Sequence, residues 1–423
     1  MVNKISLVSL GNTNVQFIDG DRGKNYPQKT DFYKNGYCVF LNTGNVKPDG
    51  FDFSDLYYIT QEKDEILNKG RVQLNDIVLT TRGTVGNVAI FDDQVPFKKI
   101  RINSGMVIIR CSNRFYPYFL YSFFRSSLFK SQCGLNGSGS AQPQLPISAI
   151  KNIKIPEFNL KTQQSIAAVL FVLDKKIALN KQINARLEEM AKTLYDYWFV
   201  QFDFPDANGK PYKSSGGEMV FDETLKREIP KGWAVKSLNQ VADIVMGQSP
   251  DGASYNLEQE GTIFFQGSTD FDWRFPNVRQ YTTSPTRFAQ KGDILLSVRA
   301  PVGDLNISPF ECCIGRGLAA LRSKSGNNSF LFYVMKYFKT VFERRNTEGT
   351  TFGSITKDDL HSLKLAVPAD KVLEKYNEIS SKYDEMIFIR SQQNHQLTQL
   401  RDFLLPMLMN GQISVTCSGA RDG

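Results

Sequence analysis

The sequence predicts an α+β chain built as a tandem duplication. Two globular domains, mostly β with short helices, are separated and joined by two long helices that pair as a coiled coil. A twelve-residue motif occurs twice, at Asp76–Asn87 and Asp293–Asp304, 217 residues apart. In each half a long segment with helical hydrophobic spacing follows it. Because both signals recur in the same order, the halves are predicted to fold alike, with pseudo-two-fold symmetry.

Length and composition limit the class of protein. A chain of 423 residues has room for two or three domains at roughly 150 residues each. Its 41% hydrophobic and 22% charged residues are typical of a globular protein. The net charge of +8 favours a polyanionic partner, nucleic acid first. The sequence has no apolar run of about 18 residues and no signal-peptide pattern at its N-terminus, so a cytoplasmic location is expected.

Residues suited to catalysis are scarce. The six cysteines have no C-x-x-C spacing, and the two histidines, His361 and His395, lie in amphipathic, helix-like segments. A zinc site and a histidine-based hydrolase are therefore disfavoured. The Gly137–Ser140 loop lacks the lysine of a phosphate-binding loop. There is no Asn-Pro-Pro-aromatic motif and no convincing carboxylate cluster for nuclease metals. We expect no catalytic site, bound metal or cofactor in this chain.

The first part of each half contains short β-like runs separated by Gly, Asn, Asp and Pro, which is typical of a mostly β domain. Aromatic-rich helical stretches follow at residues 118–130 and 329–344. A loop rich in Gly, Ser or Thr then leads to a strand-like segment ending near Pro156 or Pro368. These patterns predict globular domains at residues 1–160 and 233–369.

The two long helices are predicted at residues 161–200 and 370–412. In the first, apolar residues follow an alternating four-three spacing, which is typical of a coiled coil. The same phases in the second helix are more polar. The helix from 162 to 199 would span about 57 Å at about 1.5 Å per residue, longer than one small domain. An amphipathic helix packed on its own domain is the alternative.

The seam of this coiled coil includes two asparagines at matched positions, Asn184 and Asn394. They are interpreted either as a buried polar pair that fixes helix register or as ordinary solvated residues. The full predicted seam comprises Leu173, Ile177, Asn184, Leu187, Leu194, Ile387, Asn394, Leu397 and Leu404.

Two segments are predicted to lie outside the repeat. Residues 201–232 are rich in Pro, Gly, Ser and charge, and predict a linker or surface loop. Residues 413–423 are polar and are expected to be a disordered tail.

The sequence resembles the DNA specificity subunit of type I restriction-modification systems along nearly its whole length. The residues that carry the resemblance are the duplicated motif D-I-[VL]-L-[ST]-x-R-x-x-V-G-[ND], the opening Ile229–Trp233, the loop Gly137–Leu145 and the helix start Gln163–Leu170. No single one of these segments is specific to the family, but their order and their duplication are. The second half departs from the pattern, with Gly349–Ile355 in place of the Gln-rich loop.

The resemblance implies a function. Each globular domain would be a target-recognition domain for one half of a split DNA site, and the helices would pair antiparallel as a spacer. The helices would also dock two modification subunits, which methylate adenine with S-adenosylmethionine. Restriction subunits, which use ATP and Mg²⁺, can join such complexes. The chain would be a non-catalytic subunit whose other partner is double-stranded DNA.

Arg82 and Arg299 are the leading candidates for DNA contact. They occupy the same motif position just after a predicted strand, beside small residues that allow close approach. Because they recur in both halves while the half-sites are expected to differ, we predict phosphate contact rather than base recognition. The alternative is that each arginine pairs with Asp76 or Asp293 of its own domain.

Base recognition is expected from polar segments that differ between the halves, on glycine-containing loops. In the first domain the candidates, with Thr84 of the motif, are Arg22, Lys24, Asn25, Tyr26, Ser138, Ser140, Gln142 and Gln144. In the second domain they are Gln248, Ser249, Gln266, Arg274, Arg279, Arg316, Thr350 and Thr351.

Two alternatives of other classes remain. One is a self-sufficient enzyme acting on nucleic acid, which the missing catalytic motifs disfavour. The other is a coiled-coil scaffold whose β-rich domains bind protein and need no DNA.

Overall fold

A computed structural model describes residues 6–135, 144–347 and 354–415. The chain divides into two compact units. Unit 1 comprises residues 1–179 and 393–423, and unit 2 comprises residues 180–392. Each unit therefore contains one globular domain together with a part of each long helix.

Unit 1 is a mixed domain of short strands and helices. Its strands are β1 Leu7–Ser9, β2 Gln16–Asp19, β3 Cys38–Leu41, β4 Val46–Lys47, β5 Gly50–Phe51, β6 Tyr58–Ile59, β7 Ile77–Thr80, β8 Val88–Ile90, β9 Ile100–Ile102, β10 Met106–Arg110 and β11 Lys154–Pro156. Its short helices are α1 Gln61–Ile66, α2 Pro117–Arg125, α3 Ser127–Gln132 and α4 Ile147–Asn152, and the long helix α5 extends over Leu160–Tyr195.

The central sheet of unit 1 has the order β2-β10-β7-β8, with every pair antiparallel. A second sheet has the order β6-β3-β9, in which β3 and β9 run parallel. The strands β7 and β10 are hydrophobic over nearly their whole length, because both faces of the sheet are covered. Alternate residues of these strands fill two different cores.

Unit 2 repeats this inventory. Its strands are β12 Met219–Asp222, β13 Arg227–Pro230, β14 Ala234–Ser237, β15 Ala242–Met246, β16 Tyr255–Asn256, β17 Thr262–Phe265, β18 Tyr281–Thr282, β19 Phe288–Ala289, β20 Ile294–Ser297, β21 Leu305–Ile307, β22 Cys312–Ile314, β23 Leu318–Ser323 and β24 Lys364–Val367. Its helices are α6 Leu238–Val241, α7 Asn328–Thr347 and α8 Lys357–Ser362, and the second long helix, α9, extends over Asp370–Met409.

The central sheet of unit 2 has the order β15-β23-β20-β21, again fully antiparallel. Beside it, β17 and β22 run parallel, as β3 and β9 do in unit 1. The motif strands β7 and β20 thus occupy the same place in the two sheets. This shared topology confirms the predicted fold class of two α+β domains joined by long helices.

The long helices pair antiparallel within unit 1. Asn394 on α9 donates to the carbonyl of Ile177 on α5 (3.3 Å). One turn earlier on α5 and two turns later on α9, Asp174 accepts from Arg401 (3.1 Å). Near the end of α9, Leu405 and Leu408 are buried in the same core as the start of α5. Residues nearer the start of α5 therefore contact residues nearer the end of α9, which shows that the two helices are antiparallel.

The helices also pair antiparallel within unit 2. Asn184 donates to Ser391 Oγ (3.1 Å) and to the carbonyl of Ile387 (3.5 Å). Further along α5, the ring of Trp198 lies 5.9 Å from that of Tyr376, which is earlier on α9. Trp198 belongs to a five-residue π-helical turn, Asp196–Val200, that continues α5.

The predicted seam positions lie on the inward sides of these helices. Ile177, Asn184, Leu187 and Ile387 are buried, while Leu173, Leu194, Asn394, Leu397 and Leu404 are half-buried. Asn184 and Asn394 each donate to a backbone carbonyl of the opposite helix, once in each unit. They are not ordinary solvated side chains, and their bonds are made only at one helix register.

The segment expected to be a linker has regular structure. Strands β12 and β13 form an antiparallel hairpin within residues 201–232. Phe202 and Phe204 are buried, and the Phe204 ring stacks on Tyr212 with centroids 4.7 Å apart. The linker prediction was wrong because it rested on the polar composition of the segment. These aromatic side chains pack with Trp233 of the second domain.

Most of the expected tail, residues 416–423, lies outside the described residues. Val415 is partly buried against the core of unit 1. Across the described part of the chain, every helix is too short or too polar to cross a lipid bilayer.

Candidate nucleic-acid interface

The duplicated motif closes its turn with an equivalent side-chain hydrogen bond in both units, although the Ala300–Pro301 peptide bond of unit 2 is cis. In unit 1 the hydroxyl of Thr80 donates to the carbonyl of Thr84. In unit 2 the hydroxyl of Ser297 donates to the carbonyl of Pro301. A hydroxyl here satisfies a carbonyl inside the turn, which explains why the motif has Ser or Thr at this position.

Each turn presents one arginine. The amide of Arg82 donates to the carbonyl of Gly105 (3.1 Å). In unit 2 the amide of Val298, just before Arg299, donates to the carbonyl of Gly317 (2.9 Å). Both arginine side chains are exposed. An exposed guanidinium on a fixed backbone is well suited to contact a phosphate.

The carboxylates of the motif are occupied by other arginines. Asp76 accepts two hydrogen bonds from Arg110 (2.8 and 2.7 Å), and Asp293 accepts two from Arg322 (2.7 and 2.9 Å). The bond to Asp76 raises the pKa of Arg110. The alternative in which the motif arginines pair with these carboxylates is therefore wrong. Within the described residues the motif arginines have no ion pair.

Other predicted residues of unit 1 lie beside Arg82. Arg22 Nη2 donates to the carbonyl of Ser104, the residue before Gly105 (3.3 Å). The hydroxyl of Thr84 donates to the carbonyl of Thr43 (3.2 Å). Arg22, Arg82 and Thr84 thus share one exposed face.

The loop that carries Arg22 is organised by a buried carboxylate. Asp21 accepts from the amides of Gly23 (2.9 Å) and Asn68 (2.9 Å), and these bonds, the Gly23 bond first, lower its pKa. Lys24 is exposed and supplies a second cation. The loop is therefore a fixed platform rather than a flexible arm.

The last two candidates of this loop contact their own domain. Asn25 Nδ2 donates to the carbonyl of Ile66 (3.4 Å). The ring of Tyr26 lies edge-on to Phe40, with centroids 5.9 Å apart, and packs against a buried cluster. Tyr26 is thus placed to support the loop, whereas Arg22 and Lys24 face outward.

The divergent loops rejoin their domains beside the motif arginines. Gln144 is exposed, and the next amide, Leu145, donates to the carbonyl of Thr81 (3.0 Å). In unit 2 the amide of Ile355 donates to the carbonyl of Val298 (2.8 Å). The remaining loop candidates, Ser138, Ser140, Gln142, Thr350 and Thr351, lie outside the described residues.

Four candidates of unit 2 converge on one turn, Gly315–Gly317. The amide of Arg316 donates to Ser249 Oγ (3.3 Å), and the amide of Gln248 donates to the carbonyl of Ile314 (3.0 Å). A Cβ on Gly317 would lie 2.6 Å from the carbonyl oxygen of Gln266, so these segments touch. The Arg316 side chain is exposed.

The prediction that Arg274 contacts DNA is wrong. Its side chain is only 2% exposed and forms ion pairs with Glu188 on α5 (2.6 Å) and Asp384 on α9 (2.5 Å). Its guanidinium also lies 3.9 Å from the centroid of the Phe332 ring. Burial alone would lower the pKa of Arg274, but the two carboxylates outweigh burial and raise it. Arg274 attaches the second domain to both helices.

Arg279 has a structural partner but keeps an exposed face. Its Nη2 lies 2.6 Å from Asp270 Oδ1, and the same carboxylate accepts from the amide of Gln266 (2.9 Å). The ion pair therefore holds Gln266 in place next to the Gly315–Gly317 turn.

Sequence reasoning missed Ser104 and Thr43, which touch Arg22 and Thr84. Ser104 precedes Gly105 at the end of the central strand, just as the candidate Arg316 precedes Gly317. Ser104 lies 212 residues before Arg316, whereas the motif copies are 217 residues apart, so an ungapped extension of the repeat alignment does not find it.

The described residues have no group of three or more His, Cys, Asp or Glu side chains placed to hold a metal ion. Burial raises the pKa of Cys38 and of Cys312 to about 12, so these thiols stay protonated near neutral pH.

Comparison with known proteins agrees with this architecture. The family model described as "Type I restriction modification DNA specificity domain" matches residues 15–189 and 230–399. The putative type I restriction enzyme MjaX specificity subunit of Methanocaldococcus jannaschii is 34% identical, over 90% of this chain and 88% of that protein. The type I restriction enzyme HindI specificity subunit of Haemophilus influenzae is 22% identical, over 93% and 98%.

A solved structure shares the fold. The type I restriction-modification system S subunit from M. genitalium has a TM-score of 0.57 at 15% identity, covering 96% of this chain and 97% of that chain. The family model matches both halves of the duplication, and the relatives match over most of their lengths. The chain therefore belongs to the family of type I restriction-modification DNA specificity subunits.

Proposed function

We propose that this chain recognises a split DNA target, with one unit for each half-site. The observation that carries the proposal is the paired surface around Arg82 and Arg299. Each unit holds one exposed arginine at the same position of the motif turn, next to a set of polar residues that differs between the units. The arginine that both units share would contact the feature that both half-sites have in common, which is the phosphate backbone. The divergent surroundings supply base contacts.

The variants Arg82→Ala and Arg299→Ala test this proposal. Each removes one phosphate contact, so DNA binding should weaken by a similar factor on all sequences. The slope of log affinity against log salt should fall by about one unit. Titration of labelled duplex DNA at several salt concentrations, with the chain in complex with its modification subunits, measures both quantities.

Lys34→Ala is the matched control, because it removes the same charge from an exposed lysine that already pairs with Asp55 (2.7 Å). Its salt slope should stay at the wild-type value. Equal slopes for all three variants and the wild type would count against the arginine contacts. If the wild-type complex bound no DNA at all, the protein-binding scaffold would be favoured instead.

We propose further that the helices dock modification subunits, one on each unit. In unit 1, Val172 and Leu179 lie seven residues apart on α5 and are exposed. In unit 2, Met190 on α5 and Tyr197 on the π-helical turn that continues α5 repeat this spacing and are also exposed. Apolar side chains at seven-residue spacing share one helix face, which is suited to pack against another protein.

Methyl transfer is then a property of the complex. S-adenosylmethionine would bind to the modification subunits, and ATP with Mg²⁺ to restriction subunits where the system has them. Membership of the specificity-subunit family supports a non-catalytic role for this chain.

Incubating DNA with labelled S-adenosylmethionine tests that role. The purified chain alone should transfer no label, whereas the chain mixed with its modification subunits should label adenine. Label transferred by the chain alone would favour the self-sufficient enzyme.

A further inference from the structure

A close approach between two backbone segments occurs at the same place in both units. A Cβ built on Gly20 would lie 2.1 Å from the carbonyl oxygen of Asn103. A Cβ built on Gly247 would lie 2.1 Å from the carbonyl oxygen of Gly315. Only glycine fits at such a distance. In each unit, the two chain segments that continue from this close approach therefore lie side by side.

The strand register shows that these places are equivalent. Leu79 and Leu296 occupy the same position in the motif. Leu79 pairs with Val107 on β10, and Leu296 pairs with Ala319 on β23. The residues three before these partners are Ser104 and Arg316, and they are therefore equivalent.

The neighbouring strand gives a second equivalence. Asp19 on β2 pairs with Val107, and Met246 on β15 pairs with Ala319. The residues three beyond Asp19 and Met246 are Arg22 and Ser249, which follow the close approach in their units.

The two equivalent pairs carry the same residue types in exchanged positions. Unit 1 has Arg22 beside Ser104, and unit 2 has Ser249 beside Arg316. The members of each pair touch: Arg22 Nη2 donates to the Ser104 carbonyl (3.3 Å), and the Arg316 amide donates to Ser249 Oγ (3.3 Å). Each unit thus presents one arginine next to its motif turn, but from opposite segments.

We propose that this exchanged arginine determines base specificity, by donating to guanine O6 and N7 in the major groove of its own half-site. The inference rests on the proposed function. The motif arginines are common to both units and cannot distinguish the half-sites. The exchanged arginines start from different backbone positions, and so they reach different points along the groove.

The geometry of each arginine suits this role. Arg22 is 48% exposed, and both of its contacts, with Ser104 and with Asp19 (3.2 Å), use Nη2. Its other N–H groups have no partner within the described residues. Arg316 is exposed between Gly317, where a Cβ would lie only 2.6 Å from the carbonyl oxygen of Gln266, and Gly315, where a Cβ would be crowded at 3.1 Å. Arg316 can make a two-pronged contact from a fixed base, and Arg22 can do so when Nη2 exchanges one of its two long contacts (3.2 and 3.3 Å) for the base, because each two-pronged edge of a guanidinium includes Nη2.

The test compares Arg22→Ser, Arg316→Ser and two double exchanges, Arg22→Ser with Ser104→Arg and Ser249→Arg with Arg316→Ser. Each full-length chain is combined with its modification subunits and given a randomised DNA library, and the bound sequences are read. Each single variant should lose about tenfold discrimination at one base pair of one half-site. Each double exchange should create a new preference in the same half-site, and the other half-site should stay unchanged.

Lys34→Ser is the control, because it removes an exposed cation of unit 1 that pairs with Asp55 (2.7 Å) and lies outside the exchanged pair. It should leave every base preference intact. Weaker binding to all sequences with unchanged preferences in the arginine variants would overturn the inference, since that pattern marks phosphate contact. A wild-type complex without any sequence preference would instead reject the proposed function. Unaltered circular dichroism verifies that the substitutions, at exposed Arg22 and Arg316 and at half-buried Ser104 and Ser249, leave the fold intact.

Discussion

Replacing Arg274 with methionine should destabilise unit 2 by about 3–5 kcal/mol, the usual effect of removing one partner from a buried ion pair. Glu188 keeps Lys336 as a partner. Among the described residues Asp384 keeps only its bond from Ser329, which does not neutralise its charge. The variant thus leaves a poorly solvated carboxylate between the domain and α9.

The tryptophans provide a measurement specific to this unit. The chain has three, Trp198, Trp233 and Trp273, and all lie within unit 2. Their fluorescence in a denaturant titration therefore follows unit 2. Arg316→Met, an exposed substitution in the same unit, should change the free energy of unfolding by less than about 0.5 kcal/mol. Equal stabilities of the two variants would refute the role given to Arg274.

Adding Asp384→Asn to Arg274→Met should recover about half of the lost stability, because it removes the unpaired negative charge.

The stability deficit of the Arg274→Met variant should also depend on pH. Burial already raises the pKa of Asp384, and loss of Arg274 raises it further. A carboxyl whose folded pKa is raised loses stability as pH rises, so the deficit should be largest at high pH. It should shrink as pH falls toward the unfolded value of about 3.9.

Asp174→Asn should destabilise unit 1 by about 2–4 kcal/mol. Asp174 accepts from Arg125 (2.6 and 3.2 Å), from Arg401 (3.1 Å) and from the hydroxyl of Tyr118 (2.8 Å). An amide would leave the Arg125 guanidinium unneutralised where water reaches it poorly, and Arg401 would keep only its ion pair with the exposed Asp402 within the described residues. Loss of helical circular dichroism, with tryptophan fluorescence unchanged, would locate the effect in unit 1.

Asp402→Asn is the control, since Asp402 pairs with the same Arg401 (2.8 Å) but is 60% exposed. It should cost less than about 1 kcal/mol. Comparable losses in the two variants would contradict the proposed importance of burial at Asp174.

The pH dependence at Asp174 has the opposite sign to that at Asp384. Burial alone would raise the pKa of Asp174, but Arg125, with Tyr118 and Arg401, outweighs burial and lowers it. Stability from a lowered carboxyl pKa is fully present above the unfolded value, about 3.9, and is lost as pH falls through the folded pKa. The advantage of the wild type over Asp174→Asn should therefore be constant near neutral pH and decline below about pH 4.

These two aspartates show what the sequence can predict. The repeat places them 210 residues apart at the same helix position, and the helical spacing predicts which side of each helix is buried. It cannot predict their partners. Arg125 reaches Asp174 from α2, whereas Arg274 reaches Asp384 from a loop 110 residues away in sequence. Such pairings depend on how each domain packs against the helices, and local sequence patterns do not predict that packing.

The candidate interface divides in the same way. The motif alone predicts that Arg82 and Arg299 lie on equivalent exposed turns, because a strand followed by small residues gives a local signal. Arg274 stands in a polar, aromatic loop that resembles a binding loop, and only its distant carboxylates show that it is buried. The prediction that residues 201–232 form a linker was wrong for a related reason. A few buried aromatic residues give this segment a fixed structure although its average composition is polar.

The division of the chain into one interrupted and one continuous unit affects how it folds during synthesis. Every residue of unit 2 has been made once residue 392 is added, whereas unit 1 still awaits Leu405, Leu408 and Met409 for its core. The unit that the ribosome begins first is therefore the last to be completed. Until then its unfilled apolar surface is exposed, which makes the nascent amino-terminal domain a natural client for chaperones.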